Sequence, residues 1–330
     1  MKNFYTTILC FISVLAAQAQ DPIFTQYFRV PQTFNPAFTA FTEKSSVGGL
    51  HRAQWPDAKL RINSDYAYGN AWIDDWQSGF GVSILSQRES FADYSLTQIT
   101  GSYVYRIQLN DDWYLRPALE FGAGTKSFGF NLTLGDQLNI ATGTIDPVTI
   151  DPSIPRNGNN ESRKYIDVGA GLLLNNVENY WLGISLRHLN KPNISFMERG
   201  EQPLDMFFSI SGGYQVLMPS NIFPFDSHLL IRANYMQQGN FNRLDIGGAL
   251  DFSTFLIGAF AATNPGRNTP NAPLVTSINP YLGLNYKYLK FGYSYDIMLN
   301  NMGRNGGVHE LSLIYEFDWE HQCDGCPPGF

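Results

Sequence analysis

Phe291-Gly-Tyr-Ser-Tyr-Asp-Ile297 is the stretch that decides the fold. Successive side chains of an extended chain point to opposite faces. Phe291, Tyr293, Tyr295 and Ile297 therefore share one face, and Gly292, Ser294 and Asp296 share the other. The final segment repeats the pattern, with Leu311, Leu313, Tyr315 and Phe317 alternating with Glu310, Ser312, Ile314 and Glu316. Between 99 and 109 the odd positions are Ile, Gly, Tyr, Tyr, Ile and Leu, while Thr100, Ser102, Val104, Arg106 and Gln108 lie between them. Strands with one apolar and one polar face belong to an antiparallel sheet that exposes one side to an apolar medium.

Working outward in both directions, candidate strands fall at 44–55, 60–69, 78–88, 95–109, 113–130, 164–175, 179–190, 204–217, 226–238, 241–251, 253–262, 277–286, 288–298 and 308–319. The count of fourteen is even, as expected of a single-chain barrel whose termini share one side of the membrane. Most exceed the usual strand length of about 5–6 residues and match what spans a bilayer, about 9–11 residues plus aqueous extensions. A secreted sandwich would show shorter strands and buried runs of Val, Ile and Leu. The fold expected is all-β: a single-chain transmembrane antiparallel β-barrel of about 14 strands, preceded by an N-terminal segment. On the last strand Leu313 and Tyr315 should face lipid and Ser312 and Glu316 the interior, which makes Ser312→Arg the milder substitution beside Leu313→Arg.

The connections come in two sizes. Asn110-Asp111-Asp112 and Asn175-Asn176-Val177-Glu178 are tight turns of hairpin chemistry. Residues 131–163, 264–276 and 300–307 are long and polar. These three follow the fifth, eleventh and thirteenth candidate strands, all odd, so one parity carries the long loops. Long loops belong outside the cell and short turns in the periplasm.

Lys2, the mostly apolar Phe4 to Ala16 and the small residues of Ala17-Gln18-Ala19 read as a secretory signal, cleaved before Gln20. The residues before Cys10 do not form a lipobox. The expected divisions are a signal peptide at 1–19, a periplasmic or plug segment at 20–43, the outer-membrane barrel at 44–319 and a periplasmic tail at 320–330. Within the second, Ile23, Phe24, Tyr27, Phe28 and Phe34 would be costly to leave in water, so the segment should plug the lumen or line the barrel base.

Composition agrees. Charged residues make up 15% and aromatics 15% of the chain, against about 25% charged in a soluble domain. A net charge of −7 argues against nucleic acid as a partner. None of the five His lies in a spaced metal pair, and no nucleophile elbow or phosphate-binding loop occurs. Ser185 and His188, three apart on a strand, should face opposite sides. No cofactor is implied. Cys323 and Cys326 form a CxxC beyond the last strand, read as a local disulfide in preference to a redox or metal site. Polar strand positions Arg52, Arg61, Asp65, Arg106, Arg116, Glu120, Arg187, Arg232, Asp245, Asp251, Asp296, Glu310 and Glu316 mix both signs. They describe either a lumen filled with paired charges or a permeation path.

The N-terminal segment carries a motif: Asp21-Pro22-Ile23-Phe24-Thr25-Gln26-Tyr27-Phe28, then Pro31, then Asn35-Pro36-Ala37. Gly49, Arg52, Gln54 and Trp55 follow on the first strand, and the chain ends with Phe291 to Asp296 and Gly307-Val-His-Glu310-Leu-Ser-Leu-Ile-Tyr315. In these elements it resembles the PorP/SprF family of the type IX secretion system of Bacteroidota, over essentially the whole mature chain. The resemblance implies an outer-membrane protein of the secretion and gliding machinery. Its partners would be secreted cargo with a type B C-terminal signal domain, other components of the apparatus including periplasmic ones, and outer-membrane lipid. It implies cell-surface anchoring or export of cargo and no catalysis; a passive channel for small solutes is the alternative. An N-terminal segment that occludes the lumen would favour the first. Candidate docking residues are Asn157 and Asn159 in the 131–163 loop and Asn300, Asn301, Arg304 and Asn305 in the loop before the last strand.

Overall fold

A computed structural model describes residues 21–317 except 59–60, 92, 129–137, 140–143, 146–160, 178, 197–199, 219–226, 267–272 and 300–305. The alternating segments become strands β1 (Ser45–Gln54), β2 (Ile62–Ile73), β3 (Ser78–Glu89), β4 (Tyr94–Tyr105), β5 (Ile107–Gln108), β6 (Trp113–Phe128), β7 (Leu138–Asn139), β8 (Thr144–Ile145), β9 (Glu161–Asn176), β10 (Tyr180–Arg187), β11 (Phe207–Leu217), β12 (His228–Gln238), β13 (Phe241–Asp251), β14 (Phe255–Thr263), β15 (Val275–Tyr286), β16 (Leu289–Met298) and β17 (Val308–Phe317). β7 and β8 pair only with each other, within the loop between β6 and β9. β5 is a two-residue continuation of β4 that pairs with β6. The rest form a closed antiparallel barrel of fourteen strands, sealed where β1 pairs with β17 from Ser45 opposite Phe317 to Gln54 opposite Val308.

Every candidate strand is present, with shifted ends. β2 runs on to Ile73, and the 95–109 segment breaks at Arg106 into β4 and β5. The 179–190 segment stops at Arg187, because His188 adopts φ 59 and turns inward. Ser185 and His188 are therefore both buried on the inside, against the expectation of opposite faces.

Strand register locates the membrane. Following paired residues around the wall, Ile166, Ala123, Ile99, Ile84, Ala67, Gly49, Leu313, Phe291, Leu284 and Phe255 form one unbroken apolar row. Two residues nearer the long loops, the row from β9 to β1 becomes Lys164, Thr125, Thr97, Ser86, Asp65 and His51. The next is Ser162, Ser127, Ser95, Arg88 and Asn63. On this side the apolar band ends between Ile166 and Lys164. Asp65, expected inside, is on the outer surface at this boundary, 2.7 Å from His51.

Leu313 lies within the apolar band, so Leu313→Arg should cost about 2–4 kcal/mol near the midplane. Its neighbour Ser312 is not the tolerant site that the sequence suggests. Ser312 is buried, and its hydroxyl donates to Gln26 Oε1 at 2.6 Å. Ser312→Arg should therefore displace the N-terminal segment and lower stability at least as much as Leu313→Arg. Denaturant titration of the two variants in lipid checks this; a clearly milder Ser312→Arg would count against it.

Candidate functional site

The lumen is occupied by the chain's own N-terminal segment. Asp21–Lys44 has too many prolines for a strand and folds instead as short turns, including 3-10 turns at Pro31–Thr33 and Pro36–Phe38. Asn35 caps the second turn by accepting the Ala37 N–H at 2.9 Å, and Pro36 supplies the preset φ of a first helical position. Gly171 and Gly183 let this cap approach the wall. A Cβ at Gly171 would sit 2.3 Å from Asn35 Oδ1, and one at Gly183 would sit 2.8 Å from Asn35 Nδ2.

The apolar side chains that would be costly in water are buried here. Phe28 stacks on Phe260 with ring centres 4.3 Å apart and meets Tyr281 edge-on at 4.7 Å. Phe38 meets Trp181 edge-on at 4.9 Å. Phe24 packs with Val30, Leu50, Tyr66 and Ile314. The core of this barrel thus lies between plug and wall.

A segment without a strand partner must satisfy its main chain elsewhere, and inward side chains do this. Glu310 accepts the N–H groups of Thr25 at 2.9 Å and Gln26 at 2.7 Å. The Glu310 carbonyl accepts from the Gln26 amide at 2.8 Å. Arg52 lies 3.0 Å from Glu310 and 3.1 Å from Asp296, and Asp296 accepts from the Thr25 hydroxyl at 2.8 Å. Across the lumen, Ser185 donates to the Phe34 carbonyl at 2.6 Å, and Arg187 donates to the carbonyls of Thr33 at 2.7 Å and Gln32 at 3.0 Å. Arg187 also pairs with Glu120. Arg232 donates to the Phe28 carbonyl. At the short-turn end, Glu43 pairs with both Arg106 and Arg116. The mixed charges of the strands are therefore largely internal ion pairs and plug anchors.

At the long-loop end Asp21 donates its N–H to Gln238 at 2.9 Å, and its carboxylate lies 2.9 Å from His188 Nε2. The other ring nitrogen of His188 is 2.9 Å from Asp167. Burial works against a charged imidazole, but Asp21 and Asp167 outweigh it and push His188 up to about 10. Burial likewise raises Asp21, and the facing His188 more than offsets it and holds the carboxyl below its usual range. The sign for stability follows from linkage. The contribution of His188 is complete below its ordinary value of 6.5 and fades as pH rises toward about 10. Tm of the protein should fall across that interval, and His188→Gln should remove that part of the slope. Parallel pH–Tm curves for the two proteins would refute the assignment.

Described residues of the connection between β10 and β11 pack at this end. Ile194 and Leu204 pack with Leu96 and Tyr165, against Tyr94. Phe196 meets Phe128, and the Lys126 ammonium lies over the rings of Tyr94, Phe128 and Phe196. Beside the plug, a cavity of about 70 Å³ borders Phe28–Gln32, Tyr68 and Asn70.

Of the residues singled out by sequence, Phe24, Gln26, Tyr27, Asn35 and Pro36 are buried in the lumen, and Asp21 and Pro22 are half-buried there. Asn157, Asn159, Asn300, Asn301, Arg304, Asn305, Cys323 and Cys326 lie outside the described residues. Among the described residues no group of three His, Cys, Asp or Glu could hold a metal ion. The roles of Ser185, His188 and Trp181 were missed; inward parity along β10 was the available signal for Ser185 and Trp181.

Solved structures similar to this chain include the following three. The CymD monoaromatic hydrocarbon channel matches with a TM-score of 0.49 and 12% identity, over 91% of this chain and 94% of that one. A FadL homologue of Pseudomonas aeruginosa has a TM-score of 0.43 and 13% identity, over 86% of this chain and 93% of that one. The Acinetobacter baumannii outer membrane protein Omp33 has a TM-score of 0.43 and 7% identity, over 83% and 98%. No curated protein matches. The family described as "Type IX secretion system membrane protein PorP/SprF" matches residues 16–315. With that match spanning both the plug motif and the closing strand, the chain belongs to the PorP/SprF family of type IX secretion outer-membrane proteins.

Proposed function

We propose that this barrel is a closed docking platform of the type IX machinery, which holds a secreted partner bearing a type B C-terminal signal domain at the cell surface and performs no chemistry. The observation that carries the reading is the occupied lumen: Asp21–Lys44 is anchored to inward side chains from β1 through β17, such as Arg52, Arg187, Arg232 and Glu310. A plugged barrel offers a rigid membrane body and exposed loops rather than a route for solutes. In this reading the signal peptide at 1–19 is removed, periplasmic components of the apparatus meet the short-turn end, and cargo meets the long-loop end.

The test combines two measurements. The surface proteome of cells lacking the barrel, or carrying it with the 131–163 loop cut to a four-residue turn, should lose one specific surface protein to the medium or to degradation. The intact mature protein should be silent in planar bilayers. An unchanged surface proteome would remove the docking reading, and steady conductance by the intact protein would favour the small-solute channel.

A further inference from the structure

β9 and β10 do not rise to the same height. β9 pairs with β6 along its whole length, from Glu161 opposite Phe128 to Asn176 opposite Trp113. With β10 it pairs only from Ala170 to Asn175. Above that point the side chain of Asn190 stands in for a strand. Its Nδ2 donates to the Ile166 carbonyl at 2.7 Å, and its Oδ1 accepts the Val168 N–H at 3.2 Å. The Leu189 N–H donates to the Val168 carbonyl at 3.0 Å. These bonds fix the parity: even-numbered residues of β9 direct their main-chain groups away from β6.

By that parity the Ile166 N–H and both main-chain groups of Lys164 and Ser162 point the same way. Among the described residues no strand pairs with β9 on this side beyond Ala170. A groove of about 700 Å³ crosses the outer face of β4, β6 and β9, from Thr97 and Thr125 to Lys164 and Ile166, and reaches Asn190, Pro192 and Asn193 beside this edge. Lys164 and Ser162 belong to the polar rows outside the apolar band, so the edge meets water just above the membrane. An unpaired edge of this kind is a template for another strand.

We propose that Ser162–Ile166 is a strand-addition site, which takes an extended segment of the secreted partner as an additional strand beside β9. The proposal deepens the docking reading above and rests on it. Main-chain groups supply the attraction, and side chains on alternate positions supply selection. Lys164, exposed at the centre of the edge, selects a strand that places a carboxylate opposite it. The same lysine disfavours a second copy of this barrel, because twofold pairing about that point would set Lys164 against Lys164. The polar rows at this height disfavour lipid.

The test uses the full-length protein in its native cells. A photo-crosslinking residue at Ser162 should yield an adduct with the surface protein whose retention depends on the barrel. The same residue at Arg88, in the same row as Ser162 but paired on both sides and outside the groove, should yield none. Lys164→Pro removes an N–H that faces away from β6, a position where proline is tolerated in a sheet. It should lower the adduct and the partner's surface level by about tenfold, the effect of losing one or two edge hydrogen bonds. Lys164→Ala keeps the main chain and should retain most of the adduct. Heat-modifiable migration checks that each variant is folded, and the comparison of Ser162 with Arg88 in the otherwise wild-type chain stands without them. A folded Lys164→Pro barrel that retains its partner fully would overturn the edge while leaving docking intact. An adduct between two barrel chains would overturn it in favour of self-pairing. If no surface protein depends on the barrel, the docking reading fails and the edge site fails with it.

Discussion

Glu310→Ala should turn a silent barrel into one that conducts. The Glu310 side chain is fully buried and accepts the N–H groups of Thr25 and Gln26 as well as the Arg52 guanidinium. Alanine leaves two buried main-chain donors without acceptors and reduces Arg52 to Asp296 and the Thr25 hydroxyl. Breaking one side of a buried ion pair costs about 3–5 kcal/mol. The strands pair into a closed ring without the Glu310 side chain, so the loss falls on the seating of residues 21–28. Planar-bilayer recordings should show discrete openings in Glu310→Ala, fewer in Glu310→Gln, and none in the wild type. A silent Glu310→Ala barrel with an unchanged Tm would mean that the plug is held by its apolar contacts alone.

Glu43→Ala should release the other end. Glu43 is the shared counter-ion of Arg106 and Arg116, and Arg116 is fully buried over the rings of Phe41 and Trp72. Removing the carboxylate leaves two guanidinium groups facing each other at the short-turn end, again a loss of about 3–5 kcal/mol. Arg116→Ala should do less, because Glu43 keeps Arg106. The expected readout is local. A cysteine at the buried Ala40 should become reactive to maleimide in Glu43→Ala, while one at the half-buried Ile23 should not. Equal protection of Ala40→Cys with and without Glu43 would dismiss the foot of the plug as a separate unit.

The strands were legible because the membrane enforces a rule on every second residue. Phe291, Leu313 and Ile166 must be apolar whatever lies opposite, so alternation alone exposes the strand. Loop parity was legible for a similar reason: Asn110-Asp111-Asp112 has turn chemistry that can be read in place. Polarity alone places Asp65 inside, and it fails there because Asp65 stands at the boundary of the apolar band, where an outward charge is tolerable. Ser312 was read as tolerant because its inward face was legible but its neighbour was not; Gln26 lies far away in sequence and nothing local announces it. For the same reason the anchors Ser185 and Arg187 could be assigned to the inside and still not be matched to the carbonyls of Phe34 and Thr33.

The pairing of Thr25 and Gln26 with Glu310 joins residues separated by about 285 positions, nearly the length of the chain. That separation has a consequence for how the molecule is made. Contacts so distant in sequence form late and slowly, and here the earliest residues out of the translocation channel wait for the last strand. Until β17 arrives, the seam with β1 is open and the acceptor for Gln26 is missing at once. Nascent intermediates should therefore expose the apolar residues from Ile23 to Phe41 throughout insertion, which marks this stretch as the natural client segment for periplasmic chaperones. Because β17 supplies both the closing strand pair and the acceptors for Thr25 and Gln26, a chain truncated before Val308 should fail as a whole rather than accumulate as an open, thirteen-stranded sheet.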